Sequence, residues 1–229
     1  MPMTGVRAVT MQDTRRRIER RARRAGLELG DLVLGRLVDY MLLLEQWNRR
    51  MNLTALDRPD DAVDRLLVVP LLAARYVRAG ATSLMDVGSG GGSPAIPLKL
   101  ARPELALTMV ESKTRKSVFL REVVRHLDLR HCTVETVRYE QLLARPALLE
   151  AMSAVSVRAV RVEVAELRTL QAFLAPAGQM LWFLSGNQPM PLVPPPLVIE
   201  AEGALVESLR SRLLVLRKQD VGPDVPRGT

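Results

Sequence analysis

From Ser83 onward the chain alternates short apolar runs with amphipathic segments. SLMDV (83–87) and ALTMVES (106–112) read as strands, and PAIPLKLARP (94–103) between them as a helix stopped near Pro103. RKSVFLREVVRHLDL (115–129) reads as a helix, and CTVETV (132–137) and AVSVRAV (154–160) as the next two strands. EQLLARPALLEA (140–151) lies between those strands, and EVAELRTLQAFLA (163–175) follows as a helical segment. QMLWFL, PLVIEAE and SRLLVLRK close the chain as strands. Strands alternating with helices predict an α/β fold, a mostly parallel sheet with helices on both faces. The last two strands lack an intervening helix and predict an antiparallel hairpin at one edge.

Before Ser83 the period is helical. Leu34, Leu37, Val38, Met41, Leu44 and Asn48 share one face, with Asp39, Glu45 and Gln46 largely off it. Asp13 reads as the cap of an earlier helix that ends at Gly26 or Gly30. The expected division is a basic helical extension, 1–60, and a sheet-based domain, 61–229. No internal repeat is visible, and the one biased stretch is QPMPLVPPPL (188–197).

Composition narrows the function classes. A length of 229 residues at 48% hydrophobic content suits one sizeable domain with an appendage. No apolar run is long enough to span a membrane, and the N-terminus has no apolar signal-peptide core; the expected compartment is the cytoplasm. One cysteine, Cys132, allows no internal disulfide, and with His126 and His131 it makes a poor metal set. The net charge of +8 is uneven: the first thirty residues hold eight arginines against Asp13, Glu19 and Glu28. The cluster from Arg15 to Arg24 suits phosphate contact or, equally, a solvated helix face. Aromatics make up only 3%, which excludes a base-stacking platform as the main mode of nucleic-acid binding.

The candidate chemistry lies at the end of the first sheet strand. Asp86 and Val87 lead into Gly88, Ser89, Gly90, Gly91 and Gly92, four glycines in five residues. Such a turn either packs a helix tightly on a strand or brings backbone amides close to a ligand. Glu111 ends the next strand, 19 residues after Gly92, where a carboxylate can accept ribose hydroxyls. Ser93 stands where a dinucleotide fingerprint needs its third glycine. Asp86, the glycine turn and Glu111 together fit S-adenosylmethionine, which carries no pyrophosphate, better than NAD.

WNRRMNLT (47–54), DVGSGGGSPAIPL (86–98) and VESKTRKSVFLREVV (110–124) resemble the 16S ribosomal RNA guanine-N7 methyltransferase family. VRYEQL (137–142), VRA (157–159) and RLLVLRK (212–218) continue the resemblance in order, so that it covers roughly residues 34–218. It implies a class I S-adenosylmethionine-dependent methyltransferase (Rossmann-like) fold with a small helical N-terminal extension. It also implies ribosomal RNA or the small ribosomal subunit as partner; the chain is expected to be a monomer. By the same resemblance Gly88, Ser93, Tyr139, Glu140 and Arg158 fall on cofactor-binding positions, beside Asp86, Gly90 and Glu111 from the turn itself. Arg158, at the end of a central strand, is also the expected catalytic residue, and Arg138 and Glu140 an expected ion pair.

Several positions depart from the family. Leu66, Val69 and Pro70 stand where it carries histidine, aspartate and serine. Val157 replaces a serine, Ser185 a lysine, and Ser93 and Ala95 a large apolar residue and a glycine. These changes leave two rivals beside the methyltransferase: an RNA-binding relative with weakened or lost catalysis, and a methyltransferase for another substrate.

Overall fold

In the computed structural model, which describes residues 4–54, 58–158, 163–186, 190 and 192–220, the strands expected from Ser83 onward are all present. They are β1 (Ser83–Val87), β2 (Ala106–Val110), β3 (Cys132–Glu135), β4 (Met152–Arg158), β5 (Leu174–Leu184), β6 (Leu197–Val206) and β7 (Ser211–Lys218). They form one sheet in the order β3-β2-β1-β4-β5-β7-β6. The first five strands pair in parallel, while β7 runs antiparallel to both β5 and β6. The closing hairpin is therefore real, with β7 inserted beside β5 and β6 left as the edge. Strand order reverses between β1 and β4, so the carboxyl ends of those two strands border the crevice where ligands bind in such sheets.

Alternate residues of each strand enter separate apolar layers. Leu84, Leu107, Ala154 and Leu181 face one layer, and Met85, Val87, Val155, Val157 and Trp182 the other. The first layer is covered by α1 (Thr4–Arg24), α2 (Asp31–Asn48), α3 (Pro59–Val63), α4 (Val69–Ala73), α5 (Ala95–Ala101) and α6 (Thr114–His126). The second is covered by α7 (Val164–Leu170) and by two short 3-10 turns, 139–144 and 146–148, into which Pro146 divides the EQLLARPALLEA segment. Helix continues to residue 76, past the division expected at residue 60, and shares one core with the sheet. Among the described residues no helix is long and apolar enough to cross a membrane. Residues 159 and 160, and 188, 189 and 191 of the proline-rich stretch, lie outside the described residues.

Two expectations for the N-terminus are corrected. Asp13 caps nothing: α1 begins at Thr4 and runs through it, because no glycine or proline stands between Val6 and Asp13 to break the helix. The far end is as expected, with Gly26 at φ 69° and the Leu27 N–H returning to the Ala22 carbonyl. The arginine cluster, in turn, is largely paired within the fold. Arg15 bonds Asp31, Arg17 and Arg20 reach Asp60, and Arg21 reaches Asp64 in a two-point contact. The acids that neutralise Arg17, Arg20 and Arg21 lie about forty residues along the chain, so a local charge count does not register them.

Between α3 and α4 the chain makes one π-helical turn, Asp64–Val68, with the Val69 N–H bonded to the Asp64 carbonyl. Pro70 has no N–H to offer the Leu66 carbonyl four residues before it. That carbonyl takes a hydrogen bond from a distant side chain at the candidate site instead.

Candidate active site

The glycine turn lies over the carboxyl end of β1. Gly88, Gly90 and Gly92 have φ of 75°, 53° and 88°, the left-handed region that only glycine adopts without strain. The Gly88 and Ser89 amides both donate to the Val110 carbonyl, at 2.9 and 3.1 Å, which fastens the turn to the end of β2. Glu111 follows immediately. Its carboxylate accepts the Gly90 N–H at 2.9 Å and the Lys113 N–H at 2.7 Å, and the residue is 6% exposed. Two backbone donors hold it at a fixed angle, leaving lone pairs for further donors. A cleft of about 290 Å³ opens there, lined by Gly88, Glu111, Tyr139, Glu140, Val157 and Glu166 among others.

A second polar group lies on the opposite side of the turn, in the layer covered by the N-terminal helices. Asp86 is buried; its Oδ1 accepts from Ser156 Oγ at 2.6 Å, and its Oδ2 is buried with no hydrogen-bond partner among the described residues. Desolvation raises its pKa to about 6, with Ser156, Ser89 and Arg158 pulling the other way. Arg158, half-buried at the end of β4, donates from Nη1 to Ser93 Oγ at 2.9 Å, and its guanidinium lies 5.8 Å from the Phe183 ring centroid. Its burial lowers the pKa to about 10, and the nearby charge of Arg65 adds to the fall. Ser93 Oγ in turn donates to the Leu66 carbonyl at 2.8 Å. The serine hydroxyl thus satisfies the carbonyl left free by Pro70 and holds the guanidinium with its remaining lone pair.

The structure therefore sorts the expected site residues. Gly88, Glu111, Tyr139 and Glu140 share the cleft, and Gly90 is bonded to Glu111. Asp86, Ser93 and Arg158 are not among the cleft-lining residues and cluster beyond the turn. The expected Arg138–Glu140 ion pair does not form among the described residues; Gln141 Oε1 instead accepts the Arg138 backbone N–H at 3.1 Å.

Tyr40 is a residue that hydrophobic periodicity did not single out. It is fully buried, and its hydroxyl donates to the Gly91 carbonyl at 2.6 Å, fastening α2 to the glycine turn. The signal was available: a tyrosine beside the apolar stripe of α2 must find a partner for its hydroxyl once buried. Ser156 and the Leu66 carbonyl offered no comparable signal, because their roles come from pairings 70 and 27 residues apart.

Comparison with known proteins bears on the fold and the family. Among solved structures the chain resembles the mitomycin 7-O-methyltransferase MmcR, with a TM-score of 0.58 at 16% identity over 78% of this chain and 60% of that one. It also resembles a SAM-dependent methyltransferase from Aquifex aeolicus, with a TM-score of 0.54 at 13% identity over 72% and 96%. Likeness at that level concerns the fold alone, a class I methyltransferase fold. In sequence the chain is 39% identical over 155 residues to the ribosomal RNA small subunit methyltransferase G of Roseiflexus sp. (strain RS-1), covering 68% of this chain and 64% of that protein. It is 47% identical over 116 residues to the protein of the same name from Xylella fastidiosa (strain 9a5c), covering 51% and 54%. The chain thus spans less than two thirds of the length of these curated relatives. The model of one family, rRNA small subunit methyltransferase G, matches residues 34–190, a span that takes in most of α2, the glycine turn, Glu111 and Arg158, and the chain belongs to that family.

Proposed function

We propose that this chain transfers the methyl group of S-adenosylmethionine to N7 of a guanine in small-subunit ribosomal RNA, acting as a monomer in the cytoplasm. The observation that carries the reading is the Glu111 carboxylate, fixed by two backbone amides at a cleft that Gly88 and Tyr139 also line. A carboxylate so held suits the paired hydroxyls of a ribose, and the left-handed glycines let backbone approach the rest of the cofactor. When bound, that cofactor supplies a methyl group on a sulfonium sulfur, and transfer breaks the C–S bond, forms the C–N7 bond and moves the positive charge onto guanine. Guanine N7 carries a lone pair and no proton, so no residue of the site has to act as a base. What the chain must do is align N7 and exclude water.

In this reading Glu111 holds the ribose, the Tyr139–Glu140 turn borders the adenine, and Gly88 and Gly90 face the cofactor with backbone. Arg158 is held by Ser93 and Phe183 beyond the turn. A guanidinium at N7 would occupy the lone pair that must attack, so its partner is guanine O6 or the carboxylate of the cofactor's methionine part. Leu66, Val69 and Pro70 are all buried and favour the rival of an RNA-binding relative without turnover.

Two measurements test the proposal. Glu111→Ala should weaken cofactor binding by about 1.5–3 kcal/mol by calorimetry. The unmutated protein should methylate 16S RNA, or small-subunit particles from cells lacking their own enzyme, at a guanine N7. Cofactor binding with both substrates unmodified at saturating cofactor would overturn the guanine-N7 reading and leave the two rivals, the non-catalytic relative and a methyltransferase for another substrate.

A further inference from the structure

The arginines of this chain separate into those with partners and those without. On α1, Arg15, Arg17, Arg20 and Arg21 are matched to carboxylates. Arg50 and Arg65 are exposed, and neither side chain makes an ion pair or hydrogen bond among the described residues. Both stand where the helices meet the glycine turn. Arg50 belongs to the loop after α2, which Asn48 closes by accepting the Leu53 and Thr54 amides at 2.8 and 3.0 Å. Leu53 packs against the turn: a Cβ built on Gly91 would lie 3.7 Å from its carbonyl oxygen. Three residues of chain span at most about 10 Å, so Arg50 stays within that distance of Leu53 and within about 14 Å of the turn. Arg65 adjoins Leu66, whose carbonyl is bonded to the same Ser93 hydroxyl that holds Arg158.

Arg65 and Arg158 therefore bring two positive charges near one another on the helical side of the turn, where Asp86 is buried. Like charges so placed repel, and an anion arriving from solvent relieves the repulsion. A guanine aligned with the methyl group would carry its flanking phosphates past this rim, within reach of two extended arginine side chains. Arg17, Arg20 and Arg21 of α1 lack this freedom, since a phosphate could engage them only by displacing Asp60 or Asp64; Arg16, Arg23 and Arg24 are exposed on the same helix and serve as its test.

We infer that Arg50 and Arg65 grip backbone phosphates of the RNA on either side of the target guanine, and that α1 does not supply this grip. The inference rests on the ribosomal RNA reading above. The test is filter binding of a 16S RNA transcript across a range of potassium chloride concentrations, with the full chain. The variants are Arg50→Gln, Arg65→Gln, their combination, and a control carrying Arg16→Gln, Arg23→Gln and Arg24→Gln at exposed α1 positions. Each of the two rim substitutions should lower the log–log salt slope by about 0.7–0.9 and the affinity about six-fold at 0.1 M salt. The pair should cost about forty-fold. The α1 control should keep the slope of the unmutated protein. Cofactor affinity by calorimetry should stay unchanged in all variants, because no substituted side chain lines the cleft. An unmoved slope in the double variant, or a larger change in the α1 control, overturns the placement while leaving the methyltransferase reading intact. Failure of the unmutated protein to bind 16S RNA overturns both.

Discussion

Asp86 makes the strongest claim on a single residue, because a carboxylate with one buried, unpartnered oxygen is held against its own preference for water. Its pKa rises from 3.8 to about 6 on folding, chiefly through desolvation. The folded chain then binds more protons than the unfolded chain between those two values. The stability this group contributes is fully present below about pH 4 and is lost as pH rises through about 6, with a span of about 3 kcal/mol. Asp86→Asn, neutral throughout, should remove that component. Urea midpoints of the unmutated protein and the variant should diverge between pH 4 and 6.5, and parallel curves would refute the assignment. The same residue shows what sequence conveys at this scale. Asp86, Gly88 and Glu111 were legible because each ends a strand or starts its turn. Ser93 was read as a fingerprint position, yet its hydroxyl serves a carbonyl and a guanidinium that only folding brings together.

At the scale of elements, α1 is fixed to the rest of the fold by charge as well as by Ile18 and Ala22, which are buried in the core. The Arg21 guanidinium meets Asp64 at two points, and their side chains are 14% and 2% exposed. The hydrogen bond to Asp64 raises the Arg21 pKa further. Removing one partner strands the other. Arg21→Ala should cost about 3–5 kcal/mol, since it leaves a buried carboxylate uncompensated, and Arg21→Ala with Asp64→Ala should cost less than the sum of the single changes. A double-mutant cycle in urea measures this, and strict additivity would show the contact to be energetically idle. None of this was visible in the sequence, where Arg21 was one of a run of basic residues. Periodicity also gave no element between residues 55 and 82. AVDRLLVVPLLAARY (62–76) is apolar on nearly every side and buried except at Arg65, Arg75 and Tyr76, and a segment so nearly buried shows no helical period. β1 through α6, by contrast, were read close to their true bounds, because glycine and proline punctuate short runs of clear type.

For the molecule as a whole, the question is whether the helical extension and the sheet are one folding unit. Their apolar residues form a continuous cluster from Ile18 through Leu44, Leu67 and Leu84 to Val215. Polar links cross the same boundary, from Tyr40 to Gly91 and from Ser93 to Leu66. The chain's two tryptophans fall on either side of it. Trp47, in α2, has its ring 5.6 Å from that of Phe119 in α6, and Trp182 is buried in β5 against the other layer. Each can therefore report alone, in Trp182→Phe and Trp47→Phe respectively. If the fold is one cooperative unit, the fluorescence transition of each variant in urea should coincide with its own far-ultraviolet circular dichroism transition. The cofactor should stabilise both reporters together, by about 2.7 kcal/mol at a hundred times its dissociation constant, since the turn proposed to hold it is fastened to α2. A Trp47 signal lost first, and insensitive to cofactor, would divide the chain into an extension that docks on an already stable sheet. The buried Tyr40 hydroxyl and the shared core predict the opposite, a single transition that the cofactor moves as a whole.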